Sequence, residues 1–173
     1  TERPATRKDG SNAADPLTIL SVGRAVPKKG YDVLLRALQR LPESLYWRFE
    51  HIGGGAELSS LKEQAEKLGI GDKITWHGPR AQRAVLEACR NSDIFILASR
   101  IAEDGDRDGL PNVLLEAQSQ GLPCISTRVS AIPELIINDE TGLLVPQENP
   151  DALANALARM ITDPLLRHRL GQA

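Results

Sequence analysis

The sequence is poor in cysteine, in net charge and in long apolar runs, and each shortage removes a class of function. Two cysteines, Cys89 and Cys124, stand among 173 residues. They are too few for a disulfide framework, and neither has another Cys or a nearby His at a metal-ligand spacing. One falls in a helix-like apolar segment and the other in a strand-like one. Both are read as small buried hydrophobes in a reducing, cytoplasmic setting. The formal net charge is −2 and the pI about 5.9, which argues against a basic nucleic-acid binder. No apolar run approaches the roughly 20 residues of a membrane helix, and the opening residues are not read as a secretory signal. His51, His77 and His168 are scattered, and none adjoins a nucleophile pattern.

Two phosphate-binding signatures are missing as well. Gly23-Arg24-Ala25-Val26-Pro27-Lys28-Lys29-Gly30 follows the first strand-like run. It contains neither G-x-G-x-x-G nor G-x-x-x-x-G-K-[ST]. That disfavours a nicotinamide-dependent oxidoreductase domain. Gly53-Gly54-Gly55 puts Leu58 where the fingerprint needs its third glycine, and it follows the second strand. It is read as a tight turn that keeps side chains out of a ligand crevice.

What is present is an ordinary globular composition, with 41% hydrophobic and 25% charged residues, and enough length for one sizeable core. Residues 1–16 are polar and aperiodic, and are read as a linker or disordered tail. From residue 17 to 173 short apolar runs alternate with amphipathic stretches. Strands are expected at 17–23, 45–52, 73–76, 93–98, 123–127 and 142–145. Helices are expected at 31–41, 58–68, 81–91, 111–120, 133–137 and 150–161, with a last one after Pro164. This alternation predicts an α/β, Rossmann-like three-layer domain around a six-stranded parallel sheet. Ligands of such sheets sit at the carboxyl ends of the strands, near the point where strand order reverses.

The residues at that edge suit a ligand with phosphates and hydroxyls. Arg24 offers a guanidinium fork and Lys29 a point charge, which together can neutralise a diphosphate. Lys28 is read as a solvated surface cation. Asp108-Gly109-Leu110-Pro111 forms a turn that opens a helix, and Glu116 lies inside that helix, eight positions after Asp108. Eight positions is about two helical turns, so Glu116 is no local cap for Asp108. The turn presents unpaired backbone N–H groups at a helix N-terminus, where an anion is favoured. A calcium reading of Asp104, Asp106, Asp108 and Gly109 fails at Leu115, where an EF-hand needs its bidentate Glu.

In this order and spacing the motifs resemble those of the donor-binding, C-terminal half of group 1 retaining glycosyltransferases (glycosyltransferase family 4), which have the GT-B fold. The resemblance covers about residues 17–170. It is carried by Gly23-Arg24 to Lys29-Gly30, by Gly53-Gly54-Gly55, by Asp108-Gly109-Leu110-Pro111 to Glu116-Ala117, and by Ile132-Pro133-Glu134 before Thr141-Gly142. It implies that Arg24 and Lys29 bind a diphosphate and that Glu116 binds ribose hydroxyls. Asp108 matches the acid beside the donor sugar, the catalytic candidate, although that acid is usually Glu. Gly109, Leu110 and Pro111 would lie along the sugar and phosphates, and Gly78-Pro79-Arg80 would cradle the base. The implied substrate is a UDP- or GDP-sugar, with no cofactor. The two D-x-D pairs of residues 104–108, a metal–diphosphate form in another glycosyltransferase fold, are not expected to hold a metal. The resemblance also implies a separate N-terminal domain, absent here, that carries the acceptor glycan or lipid-linked sugar and any peripheral contact with the inner membrane face. A non-catalytic nucleotide-binding module remains the alternative reading, and the isolated domain is expected to be inactive. The loop 101–106 looks like that of a subgroup that builds exopolysaccharides.

Overall fold

The structure is a computed structural model that describes residues 7–173. The described residues form β1 (Leu17–Val22), α1 (Tyr31–Gln39), β2 (Trp47–Ile52), α2 (Leu58–Lys67), β3 (Ile74–Trp76), α3 (Gln82–Asn91) and β4 (Ile94–Ile96). They continue through α4 (Asn112–Ser119), β5 (Cys124–Thr127), α5 (Ile132–Leu135), β6 (Leu143–Val145), α6 (Pro150–Thr162) and α7 (Pro164–Gln172). Two short 3-10 turns, Pro27–Lys29 and Gly71–Lys73, have no counterpart in the periodicity. All six strands pair in parallel, in the order β3-β2-β1-β4-β5-β6. The chain builds outward from β1 through β2 to β3, then returns to the other side of β1 for β4. The reversal therefore lies between β1 and β4.

Side-chain alternation explains the layers. Leu17, Ile19, Phe49, Ile94, Ile96 and Ile125 point to one face and pack under α1, α2, α6 and α7. Leu20, Val22, Ile52, Phe95, Leu97 and Cys124 point to the other and meet α3, α4 and α5. The two-sided burial is why these strands read as continuous apolar runs. Each large aliphatic side chain so buried contributes roughly 1.5–3 kcal/mol. Cys89 and Cys124 both lie in the second layer as free, buried thiols, and burial pushes the Cys124 thiol up.

Of the residues expected to form a tail, 1–6 lie outside the described residues. Residues 7–16 contain no helix or strand, yet they are tied down. Gly10 accepts from the Tyr46 N–H at 2.8 Å. Lys8 Nζ lies 3.3 Å from Asp93 Oδ2. Arg167, 4% exposed, donates to the carbonyls of Met160 and Ile161 at the end of α6 and also to that of Lys8. One guanidinium thus closes α6 and fastens the strap to it. Among the described residues, no helix is long and apolar enough to cross a membrane.

Candidate functional site

The loops after β1, β2, β3 and β4 form one continuous rim at the carboxyl edge of the sheet. The loop after β1 is held by the glycine turn after β2. Ala25 N–H donates to Gly54 O at 2.7 Å, and Glu57 N–H donates to Ala25 O at 2.9 Å. A Cβ on Gly53, whose φ is +143°, would fall 2.1 Å from Gly23 O, and one on Gly55, at φ +137°, 2.6 Å from Ala25 N. These glycines exist for close backbone approach to the β1 loop, which is a more specific role than keeping a crevice clear. Gly53 N–H in turn donates to Gly78 O at 3.0 Å. The Gly78-Pro79-Arg80 loop is thereby fixed beside the glycine turn, with Arg80 exposed.

Beneath this rim lies a buried aromatic support. His51 has no exposed surface, and its ring meets Tyr31 and Trp76 edge-on at 4.6 and 5.4 Å. Its Nε2 lies 2.8 Å from Gly23 O. A carbonyl can only accept, so Nε2 carries the proton. Burial lowers the His51 pKa, and the bond to Gly23 offsets this in part. The neutral ring is a prop for the start of the loop after β1. Tyr31 is paired with Ser21 at 3.0 Å.

The residues singled out in the sequence lie around this rim. Arg24 is exposed, and its side chain has no hydrogen bond or ion pair among the described residues. The Lys29 side chain is 13% exposed and reaches Asp108 Oδ2 at 2.5 Å. Lys28 departs from its reading as a solvated cation: its Nζ lies 3.3 Å from Asp108 Oδ1 and 3.8 Å from Asp106 Oδ1. The sequence spacing held no signal for this, because the partner is eighty residues away and the 3-10 turn aims both lysines together. Partial burial pushes the Asp108 carboxyl up, but Lys29 and Lys28 outweigh it and hold the group below the usual carboxylate range. Asp104 accepts from the Asp106 N–H at 2.9 Å within a tight turn. Among the described residues no group of three acidic, His or Cys side chains is gathered for a metal.

Pro111 precedes α4 with extended backbone, and no side chain caps that helix. Its first N–H groups are therefore available at the rim, beside exposed Gly109 and Leu110. Glu116, about one turn into the helix, is half-buried, and its Oε1 lies 3.5 Å from Gln82 Nε2. That contact links α4 to the start of α3, directly after the 78–80 loop. Arg100, for which the local pattern held no signal, ties the rim together. Its N–H donates to Lys28 O at 3.0 Å, its Nε to Pro27 O at 2.7 Å, and its fork takes both oxygens of Asp32 at 3.1 Å. On the other side of Arg100 opens a cleft of about 490 Å³ lined by Asp32, Glu57, Glu103, Asp104 and Glu148.

Comparison with known proteins gives the family and the fold. The family model described as "Glycosyl transferases group 1" matches residues 2–173. The amylovoran biosynthesis glycosyltransferase AmsK of Erwinia amylovora is 36% identical over 84% of this chain and 36% of its own length. The GDP-mannose-dependent alpha-(1-6)-phosphatidylinositol monomannoside mannosyltransferase of Mycolicibacterium smegmatis is 28% identical over 98% of this chain and 45% of its own length. The chain thus spans less than half the length of these curated relatives. In fold it follows the C-terminal domain of the group 1 glycosyl transferase LpcC from Francisella tularensis, with a TM-score of 0.81 and 24% identity over 99% of this chain and 90% of that one. The six-stranded parallel sheet is that of the C-terminal domain of a GT-B glycosyltransferase. The chain belongs to the group 1 glycosyl transferases.

Proposed function

We propose that this domain binds a nucleotide diphosphate sugar at the carboxyl edge of its sheet, as the donor half of a retaining glycosyltransferase. Arg24 and Lys29 take the diphosphate, and the open N-terminus of α4 adds backbone donors. Glu116 accepts from the ribose hydroxyls, Gly78, Pro79 and Arg80 lie along the base, and Asp108 with Gly109, Leu110 and Pro111 borders the sugar. The observation that carries the reading is the meeting of two loops at the strand reversal: Lys29 and Asp108, 79 positions apart in sequence, lie 2.5 Å apart in space. Charge on the leaving diphosphate develops during transfer, so fixed cations there lower the barrier. The phosphates have Arg24, Lys29 and a helix terminus, so no divalent ion is required.

The acceptor hydroxyl, on a glycan or lipid-linked sugar, comes from a second domain that also makes any contact with the inner face of the membrane. The relatives' names include amylovoran biosynthesis and a phosphatidylinositol monomannoside mannosyltransferase, which supports a polysaccharide or glycolipid product; the proposed site of action is the cytoplasm. A calorimetric screen of uridine, guanosine and adenosine diphosphates and their sugars tests the reading. One base should bind in both forms. Binding of none would refute the donor-site assignment.

A further inference from the structure

The carboxylate of Asp108 sits on the lysines that the proposed donor site needs. Its two oxygens are divided between them, Oδ2 to Lys29 at 2.5 Å and Oδ1 to Lys28 at 3.3 Å. The Asp108 side chain is 19% exposed, so solvent screens the pair only in part. The loop that bears Asp108 is fixed to the lysine turn from the other side, because Arg100 binds the carbonyls of both Pro27 and Lys28. The acid is thus delivered to the cations by the fold.

Resting on the reading of this edge as a donor site, we propose that Asp108 is an internal competitor for the diphosphate and so selects the sugar-bearing donor over the bare nucleoside diphosphate. A diphosphate on Lys29 competes with the carboxylate for the ammonium and, where it wins, displaces it. The displaced acid needs donors of its own. A sugar attached to the β-phosphate supplies hydroxyls beside it. A nucleoside diphosphate instead ends in a terminal phosphate, which carries about half to one extra negative charge at neutral pH. Asp108 and that phosphate repel each other at the same cations. The competition therefore weakens binding of the product left after transfer more than binding of the intact donor, and it assists product release.

The test is calorimetry on the native chain, Asp108→Asn, Lys29→Ala and the double variant, with uridine and guanosine diphosphates, their sugars and inorganic pyrophosphate. Asp108→Asn should bind the nucleoside diphosphate and pyrophosphate about tenfold more tightly, the scale of one charged contact. It should bind the sugar nucleotide with a smaller gain or a loss. In the Lys29→Ala background the same substitution should change diphosphate binding about twofold or less. If Asp108→Asn lowers the melting temperature beyond that of Lys29→Ala, Asp108→Ala provides the same comparison. Unchanged or weaker diphosphate binding by the acid variants, in a chain where Lys29→Ala weakens it, overturns the competition and leaves the donor site standing. A native chain that binds neither diphosphates nor their sugars overturns both.

Discussion

Arg24→Ala and Lys29→Ala should weaken diphosphate binding alike and affect stability differently. Arg24 is exposed and its side chain has no partner among the described residues. Its removal leaves the internal contacts unchanged, so the melting temperature should move by no more than about 2 °C. Lys29 is mostly buried and bonded to Asp108 at 2.5 Å. Its removal leaves Asp108 with Lys28 at 3.3 Å. One of two partners survives, so the loss should be about 1 kcal/mol, between an exposed ion pair and a full charged hydrogen bond. For a chain of this size that lowers the melting temperature by roughly 2–4 °C. Binding should fall alike in the two. Each variant loses one charge-assisted contact to phosphate, about 1.5–3 kcal/mol, or about 10- to 150-fold in Kd. Titration of the nucleoside diphosphate and of the nucleoside alone reads the effect, with thermal melts of each variant alongside. The nucleoside should bind the variants as it binds the native chain. A similar fall for both ligands would mean that the pair supports the fold and not the phosphates.

Three further outcomes are expected. Glu116→Gln should weaken ribonucleotide binding more than 2′,3′-dideoxynucleotide binding, since only the ribose offers hydroxyl donors; equal losses in calorimetry would remove Glu116 from the ribose. Nucleotide affinity should be the same in excess chelator and in millimolar magnesium, and a tight calcium or manganese site at Asp104–Asp108 by titration would restore a metal to the reaction. This chain alone should unfold cooperatively, melt higher with its nucleotide and transfer no sugar; robust transfer would place the acceptor site within these 173 residues.

The alternation of strand and helix was legible because two-sided burial writes itself into local sequence. Leu17 to Val22 and Cys124 to Thr127 must be apolar or small at nearly every position, since both faces are covered. Ends were less legible. The strand expected at 93–98 is Ile94–Ile96, and Asp93 serves as an anchor whose carboxylate accepts from Thr18 N–H at 2.8 Å. The site divides in the same way. Asp108, Glu116, Arg24 and Lys29 stand in short motifs at strand ends, where the topology alone marks an edge. Lys28, Arg100, His51 and Arg167 take their roles from partners far away in sequence, such as Asp108, Asp32, Gly23 and Lys8. Nothing in the neighbouring residues distinguishes a buried Arg167 from a solvated one.

The missing dinucleotide fingerprint has a structural counterpart. A fingerprint domain seats a pyrophosphate on the N-terminus of its first helix. Here that helix begins at Gly30, whose φ is +64° and where a Cβ would fall 2.0 Å from Ala98 O. The start of α1 is packed against the backbone at the end of β4. Ahead of it stands a 3-10 turn that opens with Pro27, which has no N–H to give. The approach to the start of α1 is thereby crowded by the 3-10 turn and by the end of β4. In the proposed donor site the negative charge of a diphosphate is met instead by side chains of the β1 loop and by the uncapped start of α4 across the strand reversal. Side-chain cations, unlike backbone donors, can be matched by an acid of the chain itself. The same departure that removes the glycine fingerprint makes the Lys28–Lys29–Asp108 balance possible, and with it the proposed dependence of affinity on what the diphosphate carries.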